Sequence, residues 1–199
     1  MPQTAAPPGQ AAPRRPVLQC VVLVVIALIA MTGLAVLIIW ASVQPKKLHY
    51  SIEHGTVKGF NLSDDKLSSD FDFVLRADNP NRHVSLYYDR IEVTVWYEDQ
   101  KLSVNNVHPF YQPKRNVTFV DLALVAKNAT VYGATARDLR MERAAGEVNL
   151  NVKVRAKIRL KVGVFKIHRT LKVDCESVMV PFNFHRSFQR VVCHTDMDG

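Results

Sequence analysis

Two cysteines, three Asn-X-Ser/Thr triplets and a row of alternating cations are the residues in this chain with chemistry to offer. Cys175 and Cys193 stand near the C-terminus, and the third cysteine, Cys20, lies in an apolar run. In an exported domain such a pair suits a disulfide, which for a loop this size contributes on the order of 3 kcal/mol. The alternative is two buried thiols in a cytosolic domain. The triplets are Asn61-Leu62-Ser63, Asn116-Val117-Thr118 and Asn128-Ala129-Thr130. None has a central proline, so Asn61, Asn116 and Asn128 are acceptors for N-linked glycan if the domain is exported. Chance alone could supply one or two of them. Lys153, Arg155, Lys157, Arg159 and Lys161 alternate with apolar residues. In a strand they would line one face over about 27 Å. Such a stripe fits an acidic polymer or a layer of lipid headgroups. The plainer reading is a solvated face that deters edge-to-edge pairing.

Catalytic patterns are missing. The sequence contains no G-x-S-x-G, H-E-x-x-H, phosphate-binding Gly loop or dinucleotide fingerprint. Its seven histidines are scattered, and none stands at ligand spacing from another His or a Cys pair. Asp196-Met197-Asp198-Gly199 resembles the start of a calcium loop, but no further ligand follows it in the sequence given. No enzyme activity, cofactor or metal is expected. The stretch "NPNRHVSLYYDR", residues 79 to 90, asks whether Asn79-Pro80-Asn81 with Tyr87, Tyr88 and Asp89 is a binding site or a corner. Pro80 fixes its own φ and holds Asn79 extended, while Asn81 tolerates a left-handed turn. Tyr87 and Tyr88, if in a strand, point to opposite faces. A corner that starts a strand is the better reading.

The elements that must position these residues follow from composition. Residues 1 to 16 hold five prolines and no aromatic residue, too little apolar surface to offset ordering entropy, so a disordered tail is expected. Residues 17 to 43 contain no charge. As a helix, Cys20 to Trp40 would run about 31 Å, the thickness of a hydrocarbon core, with Trp40 at the interface. A cleaved signal peptide has an apolar run of only about 7–15 residues, so an uncleaved signal-anchor is expected. Residues 44 to 199 are enough for one domain. They carry all 18 acids and 24 of the 26 Lys and Arg. Residues 61 to 99 have net charge −5 and residues 147 to 199 net charge +5. That asymmetry suggests a polar molecule or an anionic partner, and it gives no reason to expect nucleic acid.

Period-two alternation is clearest from Glu147 to Val162, and it recurs at Leu48–Ile52, Phe71–Leu75, Ile91–Tyr97, Val120–Leu124 and Leu171–Cys175. Residues 131 to 146 suit a short helix ended by Gly146. Seven or so strands with one short helix predict a β-sandwich of immunoglobulin or fibronectin-III type. Lys and Arg flank the span on both sides, so the positive-inside rule decides little. The triplets and the cysteine pair favour a type II arrangement, with the tail in the cytosol and the domain outside.

Five stretches in order carry a family resemblance: "FNLS" (60–63), "NPN" (79–81), "YYDRIEVTVWYEDQKL" (87–102), "PFYQPKRN" (109–116) and "GEVNLNVKVRAKIRLKVG" (146–163). Together they resemble the plant NHL family, the harpin-induced and race-non-specific disease-resistance proteins, which have a late-embryogenesis-abundant type-2 domain. The resemblance covers the span and nearly all of the domain but not the tail. It implies a plasma-membrane protein with its β-sandwich toward the cell wall, induced by pathogens or abiotic stress and acting by interaction with protein partners. It carries no catalytic residues. Two other roles are open: a structural tether binding acidic cell-wall polysaccharide or lipid headgroups, and a module holding a lipid or small apolar ligand between its sheets. Salt-sensitive retention on polysaccharide would favour the tether, and a large apolar internal pocket the third role.

Overall fold

An uncharged stretch in lipid can satisfy its backbone polar groups only as a helix, and residues 17 to 43 form one. The computed structural model describes residues 14–43, 46–182 and 187–198. The chain divides into two compact units, Met1–Gln44 and Pro45–Gly199. Helix α1 covers Arg14–Val43, starting three residues before the expected boundary. Pro16 is tolerated there because first-turn N–H groups have no helical acceptor. Side chains are described from Leu18 to Ile38; all are exposed, and this stretch is long and apolar enough to cross a membrane. Residues 1 to 13, most of the expected tail, lie outside the described residues.

The second unit is a sandwich of two antiparallel sheets. Strands β1 (His49–Ser63), β2 (Lys66–Asn79) and β6 (Asn116–Thr130) join β9 (Val191–Val192) in the order β6-β2-β1-β9. The other sheet runs β10 (His194–Asp198), β8 (Phe165–Pro181), β7 (Glu147–Val162), β3 (Val84–Tyr97), β4 (Gln100–Val107), with β5 (Phe110–Gln112) also beside β3. Apolar residues at every second position face inward. On β7, Val148, Leu150, Val152, Val154, Ala156 and Ile158 are buried, and Lys153, Arg155 and Lys157 between them are exposed. Phe71, Phe73, Leu122 and Leu124 supply the facing layer. Asp64 and Asp65 close the β1–β2 hairpin with φ of 50° and 55°, the left-handed pair that a tight hairpin turn requires.

Helix α2 (Gly133–Ala145) links the sheets and buries Ala136 and Leu139. Gly146 ends it at φ 89°, its N–H donating to the carbonyls of Glu142 and Arg143. Among the described residues there are ten strands, against the seven or so expected. Strands β5 and β9 are three and two residues long, too short to show a period. Strands β4 and β10 are mostly polar: β4 buries only Leu102 and Ser103, and β10 buries nothing.

Candidate functional site

The Asn79–Asn81 corner is a buried hydrogen-bond hub. Asn79 is fully buried at the end of β2. Its Nδ2 donates to the carbonyls of Val84 and Pro113, both at 2.9 Å. Its Oδ1 accepts from the backbone N–H and the Nδ2 of Asn81, both at 3.1 Å. Asn81 in turn holds Lys46: its Oδ1 accepts the Lys46 N–H at 2.6 Å and its Nδ2 donates to the Lys46 carbonyl at 3.0 Å. The Asn81 carbonyl accepts the Arg115 N–H. The motif thus ties together the start of the domain, the β2–β3 turn and the β5–β6 turn. Asn81 tolerates a left-handed backbone but does not adopt one; two-sided hydrogen bonding explains its identity.

Tyr88 points inward from β3 and Tyr87 outward, as the alternation requires. The buried Tyr88 hydroxyl donates to Gln112 Oε1 at 3.0 Å and lies 2.6 Å from the Tyr50 hydroxyl. With the Tyr88 proton so used, Tyr50 donates to Tyr88. Gln112 Nε2 completes the chain by donating to the carbonyls of Ala77 and Asn116. Burial in this apolar layer holds both phenols protonated: Tyr50 is raised well above the usual tyrosine value, and Tyr88 is pushed up to about 12. The alternation Leu48, Tyr50, Ile52 places Tyr50 on the inner face, but nothing local in the sequence marks its hydrogen bond or the buried Gln112.

On the outer face of the second sheet, the five cations of β7 stand in one row, as expected. Neighbouring strands temper the row. Arg159 makes two hydrogen bonds to Asp89, at 2.8 and 2.6 Å, and its guanidinium lies over the Tyr87 ring. Lys153 lies over the Trp96 ring and faces Asp174 across the β7–β8 ladder. Arg155 stands between Glu92 on β3 and Lys172 on β8. Lys172 pairs with Asp198, and that hydrogen bond, helped by the charges of Lys172 and Arg155, holds the Asp198 carboxyl below its ordinary value. Of the five, only Arg159 has an ion pair among the described residues.

Cys175, buried on β8, and Cys193, between β9 and β10, have their Sγ atoms 2.04 Å apart. Cys20 is exposed on α1. Asn61 and Asn128 are exposed and Asn116 half-buried. The Ser63 and Thr118 hydroxyls donate to the carboxamide oxygens of Asn61 and Asn116. The cavity between the sheets, lined by residues including Tyr50, Tyr88, Phe110 and Leu122, has a volume of 20 Å³. That is room for about one water and not for a lipid. A groove of 640 Å³ opens beside β1, between His54–Gly59 and Phe182, Ser187 and Phe188.

The family model for late embryogenesis abundant protein (LEA_2) matches residues 74–177. The chain belongs to the LEA_2 family. An uncharacterized protein of Arabidopsis thaliana is 33% identical over 88% of this chain and 82% of its own length. NDR1/HIN1-like protein 10 of Arabidopsis thaliana is 32% identical over 80% of this chain and 72% of its own. NDR1/HIN1-like protein 3 is 31% identical over 87% and 78%. These relatives place this LEA_2 chain among the NDR1/HIN1-like proteins, the group that the five stretches above resemble. A solution structure of an Arabidopsis thaliana protein covers 66% of this chain and 83% of its own at 14% identity, with a TM-score of 0.34, too low to carry an argument.

Proposed function

We propose that this LEA_2 protein is a single-pass, type II plasma-membrane protein whose sandwich faces the cell wall and acts in plant defence or stress response by binding a partner, without catalysis. One observation carries the reading: a helix long and apolar enough to span a bilayer is followed, after two residues, by a sandwich hydrogen-bonded from its first described residue, Lys46. The NDR1/HIN1-like names of the relatives support the defence setting. A labelling enzyme fused to the C-terminus should biotinylate apoplastic proteins, and the same enzyme at the N-terminus cytosolic ones. Cytosolic labelling from the C-terminal fusion would refute the orientation. A labelled set identical to that of an unrelated membrane anchor would refute partner binding.

A second reading, a tether to acidic polysaccharide, draws on Lys153, Arg155, Lys157 and Lys161, the four stripe cations without an ion pair among the described residues. The third, a lipid held between the sheets, finds no support in a water-sized cavity.

A further inference from the structure

The β7–β8 hairpin ends in Gly163-Val164-Phe165-Lys166-Ile167, and its apolar side chains are exposed. Val164 is 88% exposed, Phe165 71% and Ile167 41%. These are high values for contiguous apolar residues on a water-soluble surface. The register fixes which end of the sandwich this tip occupies. Phe165 pairs with Val162, and Val162 with Val84, the first residue of β3. The β2–β3 turn that leads into Val84 holds Asn81, and Asn81 is bonded to Lys46 and Arg115. The hairpin tip therefore shares an end with the first residue of the domain. Only Gln44 and Pro45 separate Lys46 from Val43, the last residue of α1, and these three residue steps extend at most about 11 Å.

Charge in the turns at this end is of one sign, and the nearby Asp78 is paired with Arg76. The segments 46–47, 80–83, 113–115 and 161–168 hold seven Lys or Arg and no Asp or Glu. Lys161 and Lys166 flank the apolar tip directly. The opposite end has both signs: Asp64, Asp65, Glu98 and Asp99 in its turns, and Arg137, Arg140 and Arg143 on α2. An apolar tip ringed by cations is the pattern of a segment that enters the interfacial layer of a bilayer, aromatic and aliphatic groups among the acyl carbons and cations at the lipid phosphates.

We propose that the β7–β8 hairpin is a second membrane contact, with Val164 and Phe165 inserted into the outer leaflet of the bilayer that α1 crosses. This rests on the reading of α1 as a span. The consequence is orientation: two attachments hold the sandwich upright, with the β1–β2 and β3–β4 turns and α2 presented outward to a partner.

The test uses the full chain in vesicles of phosphatidylcholine with phosphatidylserine, in a Cys20→Ser background. An environment-sensitive fluorophore is attached at Val164→Cys or, as a distal control, at Asp99→Cys. The expected result is a blue shift and quenching by lipids spin-labelled near the headgroup for Val164→Cys, and neither for Asp99→Cys. Adding Phe165→Asp, or Lys161→Gln with Lys166→Gln, should return the probe toward its aqueous spectrum. Flotation in alkaline carbonate separates the two premises. If the chain floats but the probe at position 164 stays aqueous, the hairpin contact is refuted while the span stands. If the chain does not float, the span fails and the hairpin proposal falls with it.

Discussion

Asn79 and Asn81 each use both amide hydrogens, and each carboxamide oxygen accepts at least one bond, with almost no exposure to water. Replacing either with alanine leaves buried donors and acceptors unmatched, each worth about 1–3 kcal/mol. Asn81→Ala should therefore lower the urea midpoint of the full chain, and Asn81→Asp should lower it at least as much. The carboxylate cannot donate to the Lys46 carbonyl and adds buried charge. Near-wild-type midpoints would show that the hub is dispensable. The tyrosine pair makes a pH prediction. Folded Tyr88 holds its proton up to about 12, whereas an unfolded tyrosine loses it near 10. Above that value the unfolded state binds fewer protons, so stability is full below pH 10 and falls as pH rises from there toward 12. Tyr88→Phe should be less stable at neutral pH, by about 1 kcal/mol for the lost hydrogen bonds, and should show a shallower alkaline decline. The corner at Pro80 was legible because proline acts on its own neighbours. The hub was not, because Lys46 and Pro113 are distant in sequence and only folding brings their carbonyls to Asn81 and Asn79.

The long strands were legible because one face of each is buried, which imposes a period of two over many residues. Strand β7 shows it from Glu147 onward. The stripe was legible in position but not in strength. Its acids, Asp89 and Asp198 among them, sit on other strands, and only the ladder register brings them near. Changing Lys153, Arg155 and Lys157 to Gln should leave the fold intact, since all three are exposed. If the tether reading holds, the change should weaken retention on de-esterified pectin, and added salt should weaken wild-type retention similarly. Equal, salt-independent retention would leave the stripe a solvated face. The cysteine pair acts at this scale too. A bridge from Cys175 on β8 to Cys193 would tie down β9 and β10, which together supply only seven residues of ladder. Thiol labelling of the unreduced, denatured chain should find only Cys20. Cys193→Ser should cost roughly 2–4 kcal/mol. Three reactive thiols would dismiss the bridge.

At the scale of the whole molecule, the proposed topology has α1 crossing the membrane and the sandwich outside it. Composition made both units legible, because an uncharged 27-residue run and an alternating β pattern obey different solvents. The apolar hairpin tip was not legible: Val164 and Phe165 read as a continuation of the strand pattern until the register shows them beyond the core. The direct measurement is glycosidase treatment of the plant-expressed protein. Asn61 and Asn128 lie exposed on the sandwich and Asn116 is half-buried, and N-linked glycan is added to such asparagines only in a domain that enters the secretory lumen. The expected result is a fall in apparent mass on treatment, abolished when the three asparagines are replaced by Gln, together with digestion of the sandwich by protease added to intact cells. A protein that carries no glycan and whose sandwich survives external protease would contradict it.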